Sequence, residues 1–299
     1  MTQKKVAIVV ALTGGTQQDR EGAKVPTTPQ EIADETYRCY QAGASSVHIH
    51  ARDEKKAATG DVKIFAEIMR RIREKCDILI QTTNGIGSRH DPVTGAIIRP
   101  TEEERLALLH LEPRQDLFSI AGGSWDFYHP GVPDQNQFSF LNPTEFLRKK
   151  IPAVHAAGSS IEFEIVQVSF LDRLKRLADE GVFNINENRY WLNYCFGFGG
   201  MEPTPRAFAF ALDEGRRIFP NAKWQVTASD RSMFPINTVA LLEGCDIVRV
   251  GFEDNIYLPN GKAAAHNHNQ VEAMVRIARE FGREPATVAE ARKIYGLVK

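Results

Sequence analysis

The feature that most constrains this chain is a regular alternation of eight short apolar runs with longer amphipathic stretches. The runs cover residues 5–12, 45–50, 77–82, 116–121, 160–166, 190–196, 223–228 and 246–251. Val, Ile and Phe are common in them and sustained polar alternation is missing, as in strands covered on both faces. The stretches between carry helix start signals. Thr28-Pro29-Gln30-Glu31 and Thr101-Glu102-Glu103-Glu104 are capping boxes, the first with proline at the opening helical position. Asn142-Pro143 and Thr204-Pro205 repeat the cap-then-proline pattern, while Gly43, Gly158 and Gly244 mark helix ends shortly before a strand. Eight such units reach to about residue 283 at roughly 35 residues each, the repeat of a (β/α)8 barrel. The alternation implies parallel strands joined by right-handed crossovers.

An open doubly wound sheet is the competing architecture, but the phosphate fingerprints that often accompany it are missing. Gly197-Phe198-Gly199-Gly200 follows a strand without fitting G-x-G-x-x-G. The expectation is an α/β TIM barrel occupying residues 1–299 as one domain. Thr287 to Tyr295 would add a capped C-terminal helix.

Composition narrows the setting. Thirty-seven basic against 38 acidic side chains give a net charge of −1, which argues against a nucleic-acid partner. No stretch approaches the roughly 18 apolar residues of a membrane span. The apolar run near the start is short and ends in Thr13-Gly14-Gly15, without the usual small-residue cleavage site. Cys39, Cys76, Cys195 and Cys245 stand far apart with no C-x-x-C, so neither a disulfide framework nor a zinc ribbon is indicated. A cytoplasmic protein is the simplest expectation.

In a barrel of this kind the active site lies at the C-terminal ends of the strands. His48 and His50 close the second strand, and residues two apart on a strand point the same way. Two imidazoles on one face form half of a divalent-metal site. The blander alternative is that they only hydrogen-bond, or that one faces outward. A third ligand should come from another strand's end, and the eighth offers Arg249-Val250-Gly251-Phe252-Glu253-Asp254. Strands 2 and 8 both flank strand 1, so they lie roughly 10 Å apart at the mouth. Glu253 would complete two histidines and a carboxylate with one position open, a catalytic composition; otherwise Glu253-Asp254 is a solvated acidic pair. The remaining histidines are poorly placed. His155 is at a helix end, His110 lies in a helix, and His90 and His129 fall in loops. His266 and His268 sit near a helix start, where positions two apart diverge.

Other strand ends carry polar groups suited to a substrate: Gln81-Thr82-Thr83-Asn84, Ser119, and the pair Glu162 and Glu164. The two glutamates share one face of strand 5. They either point into the barrel, where burial demands a partner or a proton, or form ion pairs in the helix layer. Gly-Gly pairs at 14–15, 122–123 and 199–200 could let backbone N–H groups approach an anion, or simply make tight turns.

Taken together these residues resemble the beta-keto acid cleavage enzymes. The resemblance runs along nearly the whole chain. It includes Val25-Pro26 with Thr28-Pro29-Gln30-Glu31-Ile32, Val47-His48-Ile49-His50-Ala51-Arg52-Asp53, and Val248-Arg249-Val250-Gly251-Phe252-Glu253-Asp254-Asn255. It implies a zinc-dependent TIM barrel that condenses a beta-keto acid with acetyl-CoA and releases acetoacetate and a new acyl-CoA. His48, His50 and Glu253 match the family's zinc ligands, and Arg249 and Asp254 its catalytic pair. Thr82 or Thr83, and Ser119, match positions that contact substrate. The resemblance also implies a homo-oligomer, often a tetramer. Three departures bear on substrate choice. Thr16 follows the first glycine pair where members acting on an amino-substituted keto acid would carry an acid. Strand 5 runs on to Gln167 where an acid is common, and Asn84 and Ala121 replace a usual Gly and Asn.

Two competing readings use the same ligands: a 2-His-1-carboxylate iron(II) oxygenase, and a catalytically silent metal-binding barrel.

Overall fold

A computed structural model describes residues 4–83, 85–87, 89, 90, 94, 97–127 and 138–298. Eight parallel strands close into a barrel in sequence order. They are β1 (Ala7–Ala11), β2 (Ser46–Ile49), β3 (Leu79–Thr82), β4 (Leu117–Ala121), β5 (Ser160–Ile165), β6 (Tyr190–Phe196), β7 (Lys223–Ala228) and β8 (Ile247–Val250). Closure is made by β1, which pairs with β2 through Ala11 opposite His48 and with β8 through Val9 opposite Arg249.

Each strand is followed by a helix: α1 (Pro29–Ala42), α2 (Val62–Lys75), α3 (Glu102–Ala107), α4 (Thr144–Ala156), α5 (Ser169–Asp179), α6 (Pro205–Ile218), α7 (Met233–Leu242) and α8 (Asn267–Glu280). Both capping boxes form, with Thr28 accepting from the Glu31 N–H and Thr101 from that of Glu104. Thr204 caps α6 by accepting from Ala207. The Asn142-Pro143 signal works differently. Pro143 itself holds the extended cap position and α4 opens at Thr144. The Asn142 amide is buried instead, donating to the Ala121 carbonyl and accepting from Arg105. Gly43, Gly158 and Gly244 all take positive φ at helix ends. No helix among the described residues is long and apolar enough to cross a membrane.

The alternating pattern does not announce three short hairpins inserted at the strand ends. They pair Ala51–Arg52 with Ala58–Thr59, Arg89–His90 with Ile97–Ile98, and Trp125–Phe127 with Phe138–Phe140. The second places His90 in a strand, not a loop.

The barrel interior is layered. At the N-terminal end Ala7, Val9, Leu79, Leu117, Trp191 and Ile247 form one apolar cluster. A ninth helix, α9 (Val288–Ile294), closes this end from below. Tyr295, just past it, packs tilted against Trp191 with ring centroids 4.7 Å apart and shares a 2.9 Å hydrogen bond with Ser46. One turn of strand higher the inward positions become polar: Gln81, Ser119, Glu162, Asn193 and Gln225, all buried. Above them lies the mouth.

Candidate active site

His48 and His50 stand side by side at the end of β2, their ring centroids 5.2 Å apart. Glu253, on the turn after β8, reaches both. Its carboxylate oxygens lie 3.6 Å from His48 Nε2 and 3.7 Å from His50 Nε2. Two glycines make this approach possible. A Cβ on Gly251, at φ 136°, would sit 2.1 Å from the Ala11 carbonyl, so only glycine lets the chain after β8 fold against β1. Gly14, at φ 62°, leaves room for the Glu253 side chain, whose Cγ a Cβ would approach to 2.8 Å. The pairs at 122–123 and 199–200 abut Phe170 and Val166 instead.

The protons on this cluster can be assigned from its partners. Gln81 Nε2 donates to Glu162 at 2.8 Å, which turns Gln81 Oε1 toward His48 Nδ1, also at 2.8 Å. His48 therefore carries its proton on Nδ1 and presents the Nε2 lone pair to Glu253. Burial pushes the His48 pKa down to about 3, so the ring is neutral. Burial works against ionisation of Glu253, but the Arg249 guanidinium at 2.8 Å holds it well below the usual carboxylate range. His50 Nδ1 is 3.3 Å from the Ile86 carbonyl, which leaves its Nε2 facing the same point. Lone pairs from three side chains thus converge, and Glu253 Oε2 is buried with no hydrogen-bond partner. Such a set is costly alone and satisfied by a cation. Among the described residues these three make up the one cluster of His, Cys, Asp and Glu able to hold a metal ion.

Beside it Arg249 grips Asp254 through two hydrogen bonds of 2.8 and 3.0 Å and reaches Glu253 at 2.8 Å. Asp254 is 3% exposed, and burial pushes its pKa up to about 6 against the pull of Arg249. Glu162 and Glu164 point into the barrel, not the helix layer. Glu162 is held by Gln81 and Asn193 at 2.8 Å each. Glu164 lines the mouth, and burial together with Glu162 beside it pushes its pKa up to about 8.

His48, His50, Glu164, Arg249, Glu253 and Asp254 line a cavity of about 460 Å³. Thr16 and Thr83 line it. Thr82, paired in register with Ile49, has the opposite parity to inward-facing Gln81 and does not line the cavity. Ser119 is buried one layer below, opposite Glu162. Asn84 and His129 lie outside the described residues. His266 caps α8, and His268 pairs with Glu35 at 3.1 Å, away from the cavity. Sequence reading passed over Asn193 and Thr227, linked at 2.9 Å, which line the cavity from β6 and β7. The signal was there: Asn193 is the one amide in an apolar strand, and Gln225 and Thr227 alternate with apolar residues along β7. It also passed over the aromatic hairpin after β4.

The family model for beta-keto acid cleavage enzymes matches residues 5–297. The chain belongs to this family. It is 32% identical over 298 residues to a 3-keto-5-aminohexanoate cleavage enzyme of Acetoanaerobium sticklandii, covering 99% of this chain and all of that one. It is 28% identical to a 3-oxoadipate:acetyl-CoA acetyltransferase of Cupriavidus necator, over 99% of this chain and 96% of that one. Among solved structures, ObcA in ternary complex with a C4-CoA adduct and oxalate superposes with a TM-score of 0.74 at 17% identity. That match covers 91% of this chain and 67% of the other, a likeness of fold. The protein is thus an enzyme of the beta-keto acid cleavage kind, with relatives that use acetyl-CoA.

Proposed function

We propose that this chain is a zinc-dependent transferase. It condenses a beta-keto acid with acetyl-CoA and cleaves the adduct to acetoacetate and a new acyl-CoA. The observation that carries the reading is the convergence of three lone-pair donors beside a buried Arg–Asp pair in one cavity. His48, His50 and Glu253 would hold the metal, and a donor set of two imidazoles, one carboxylate and an open position suits zinc. The ion supplies Lewis acidity for negative charge developing on the keto acid oxygens.

Asp254, aimed by Arg249, removes a proton from the carbon between the keto and carboxylate groups. A carboxylate titrating near 6 is a stronger base than an ordinary aspartate and still ionised at neutral pH. The carbon so exposed attacks the acetyl thioester, and the CoA thiolate leaves. The thiolate then adds to the original keto carbonyl, and the carbon–carbon bond breaks. Its electron pair stays with the departing acetoacetate carbon, which recovers a proton. Arg249 stays charged throughout: burial opposes this, but Asp254 and Glu253 hold its pKa well above the ordinary value. Thr16, Thr83 and Glu164 line the space where the substrate would sit, and Ser119 and Glu162 support it from below.

Acetyl-CoA is the co-substrate in this reading. A cytoplasmic homotetramer goes with it, and the four free cysteines are compatible with a reducing compartment. The test is a panel of beta-keto acids with acetyl-CoA, acyl-CoA products being followed by mass spectrometry alongside metal analysis. No product from any keto acid with zinc bound would overturn the reading. Iron in place of zinc, with no acetyl-CoA-dependent turnover, would favour an oxygenase.

A further inference from the structure

The two sides of the mouth differ in kind. The metal-type donors and the Arg249–Asp254 pair come from β2 and β8, which flank β1. From β4, on the opposite side of the barrel, rises the hairpin of Trp125–Phe127 and Phe138–Phe140. Its register places Phe138 opposite Phe127 and Phe140 opposite Trp125. All four rings therefore share one face, and all four line the cavity. Trp125 and Phe140 pack at 4.6 Å between centroids, Phe127 and Phe138 at 5.3 Å. The other face carries Asp126 and Ser139, hydrogen-bonded to each other at 2.6 Å. Trp125 Nε1 donates to the Phe198 carbonyl at 2.9 Å, tying the hairpin to the segment after β6. Toward β3, Phe140 lies close enough that a Cβ on Gly85 would touch it at 3.5 Å. The hairpin thus spans the rim from β3 to β6, its aromatic face half-exposed toward the cavity.

Four aromatic rings left half-exposed on one side of a cavity, with the polar face outward, form a surface for an apolar group. Among the described residues no charged side chain lines the cavity beside them; the Arg105 guanidinium lies 5.2 Å from the Phe140 ring centroid but does not line the cavity. The charged cavity residues outside the floor, Asp19 and Arg20, belong to the segment after β1 on the far side. Asp19 is already engaged by the Val25 N–H at 2.8 Å.

We infer that the keto acid this chain takes carries an uncharged, apolar side group, branched or aromatic, seated on the Trp125–Phe127/Phe138–Phe140 hairpin. The inference rests on the reading above, since it places the acid end at the His48, His50 and Glu253 corner and the side group across the mouth. An ammonium or a second carboxylate on that side group would be stripped of water with no counter-charge from the described residues that line the cavity there.

The experiment uses the metal-loaded full chain and three beta-keto acids of matched length, ending in an isobutyl, an ammonium or a carboxylate group. Binding without acetyl-CoA is measured by calorimetry, and turnover with it by mass spectrometry. The isobutyl compound is expected to bind on the order of 10²-fold more tightly than either charged one. Trp125→Ala and, separately, Phe138→Ser should each weaken its binding about tenfold, with Trp125→Phe restoring most of it, and leave the KM for acetyl-CoA unchanged. Equal or tighter binding of a charged compound overturns the inference. So does a rise in the acetyl-CoA KM with keto acid binding unchanged, which would give the hairpin to the CoA arm. Apolar preference without turnover would retain the inference and sink the proposed reaction.

Discussion

The two halves of the barrel interior are built from the same eight strands and obey opposite rules. Below, Leu79, Leu117, Trp191 and Ile247 pack against α9 and Tyr295 in an apolar cluster where the Tyr295 hydroxyl and the Trp191 Nε1 each have a hydrogen-bond partner. Above, two strand positions further on, the same strands bury Gln81, Glu162, Asn193 and Arg249. The lower half gains stability from area removed from water. The upper half spends stability on desolvated charge and recovers it through a closed set of hydrogen bonds and, in the proposed reading, a cation at His48, His50 and Glu253. Mutations should therefore separate: those above should strike activity and spare the fold, those below the reverse.

The strongest break is His48→Ala. Losing one of three ligands removes the metal's contribution of several kcal/mol to charge stabilisation, so turnover should fall by about 10⁴-fold. Metal content by mass spectrometry should drop with it, while the thermal midpoint without metal stays within a few degrees of the parent's. A variant that keeps its metal and its rate would dissolve the site. Asp254→Asn comes next, with turnover reduced by about 10³-fold, within the range for a lost general base. Metal content is expected to remain at the parent level, which separates the base from the ligands. Trp191→Ala tests the other half. It opens a cavity under the polar layer and should cost about 3–5 kcal/mol in denaturant unfolding. The surviving folded fraction should turn over at close to the parent rate.

Much of this division was legible beforehand. The eight runs and the capping boxes at Thr28, Thr101 and Thr287 specified the barrel and its last helix, because period and cap chemistry are local. His48 and His50 were legible as a pair because strand parity is also local. Glu253 needed one further step, the adjacency of β2 and β8 across β1. What could not be read was anything set by side chains meeting across the barrel. Thr82 and Thr83 are adjacent polar residues at a strand end, and only the inward position of Gln81 decides that Thr83 faces the cavity. Glu162 and Glu164 were open between two faces until Gln81 and Asn193 were seen holding Glu162. The aromatic hairpin escaped because its strands are three residues each, too short for a period to register.

Gln81 sits at the boundary between the halves and sharpens it. Its amide bridges Glu162 and His48, fixing the tautomer that aims Nε2 at the Glu253 carboxylate and the proposed metal position. Gln81→Leu keeps the volume and removes both bonds. Metal affinity should fall about 10- to 100-fold, as for other lost partners of ligating histidines. Competition with a chelator of known affinity measures it. An unchanged affinity would mean that ring packing alone orients His48.

The smallest effect asks whether the two halves are coupled at all. Thr287 caps α9, accepting from the Glu290 N–H while the Glu290 carboxylate returns to the Thr287 N–H at 2.9 Å. Thr287→Ala removes the cap at a cost of about 1 kcal/mol. α9 packs into the apolar cluster at the other end of the barrel and none of its residues lines the cavity, but Tyr295 bonds Ser46, two residues before His48 on the same strand. If β2 transmits a loosened Tyr295 upward, metal affinity should fall along with stability. The layered interior predicts otherwise: the midpoint moves down by a few degrees, and metal affinity and turnover hold, because Val47 and Ile49 fix β2 from the helix side. A parallel loss of affinity in Thr287→Ala would show that the apolar floor positions the ligands as well as supporting them.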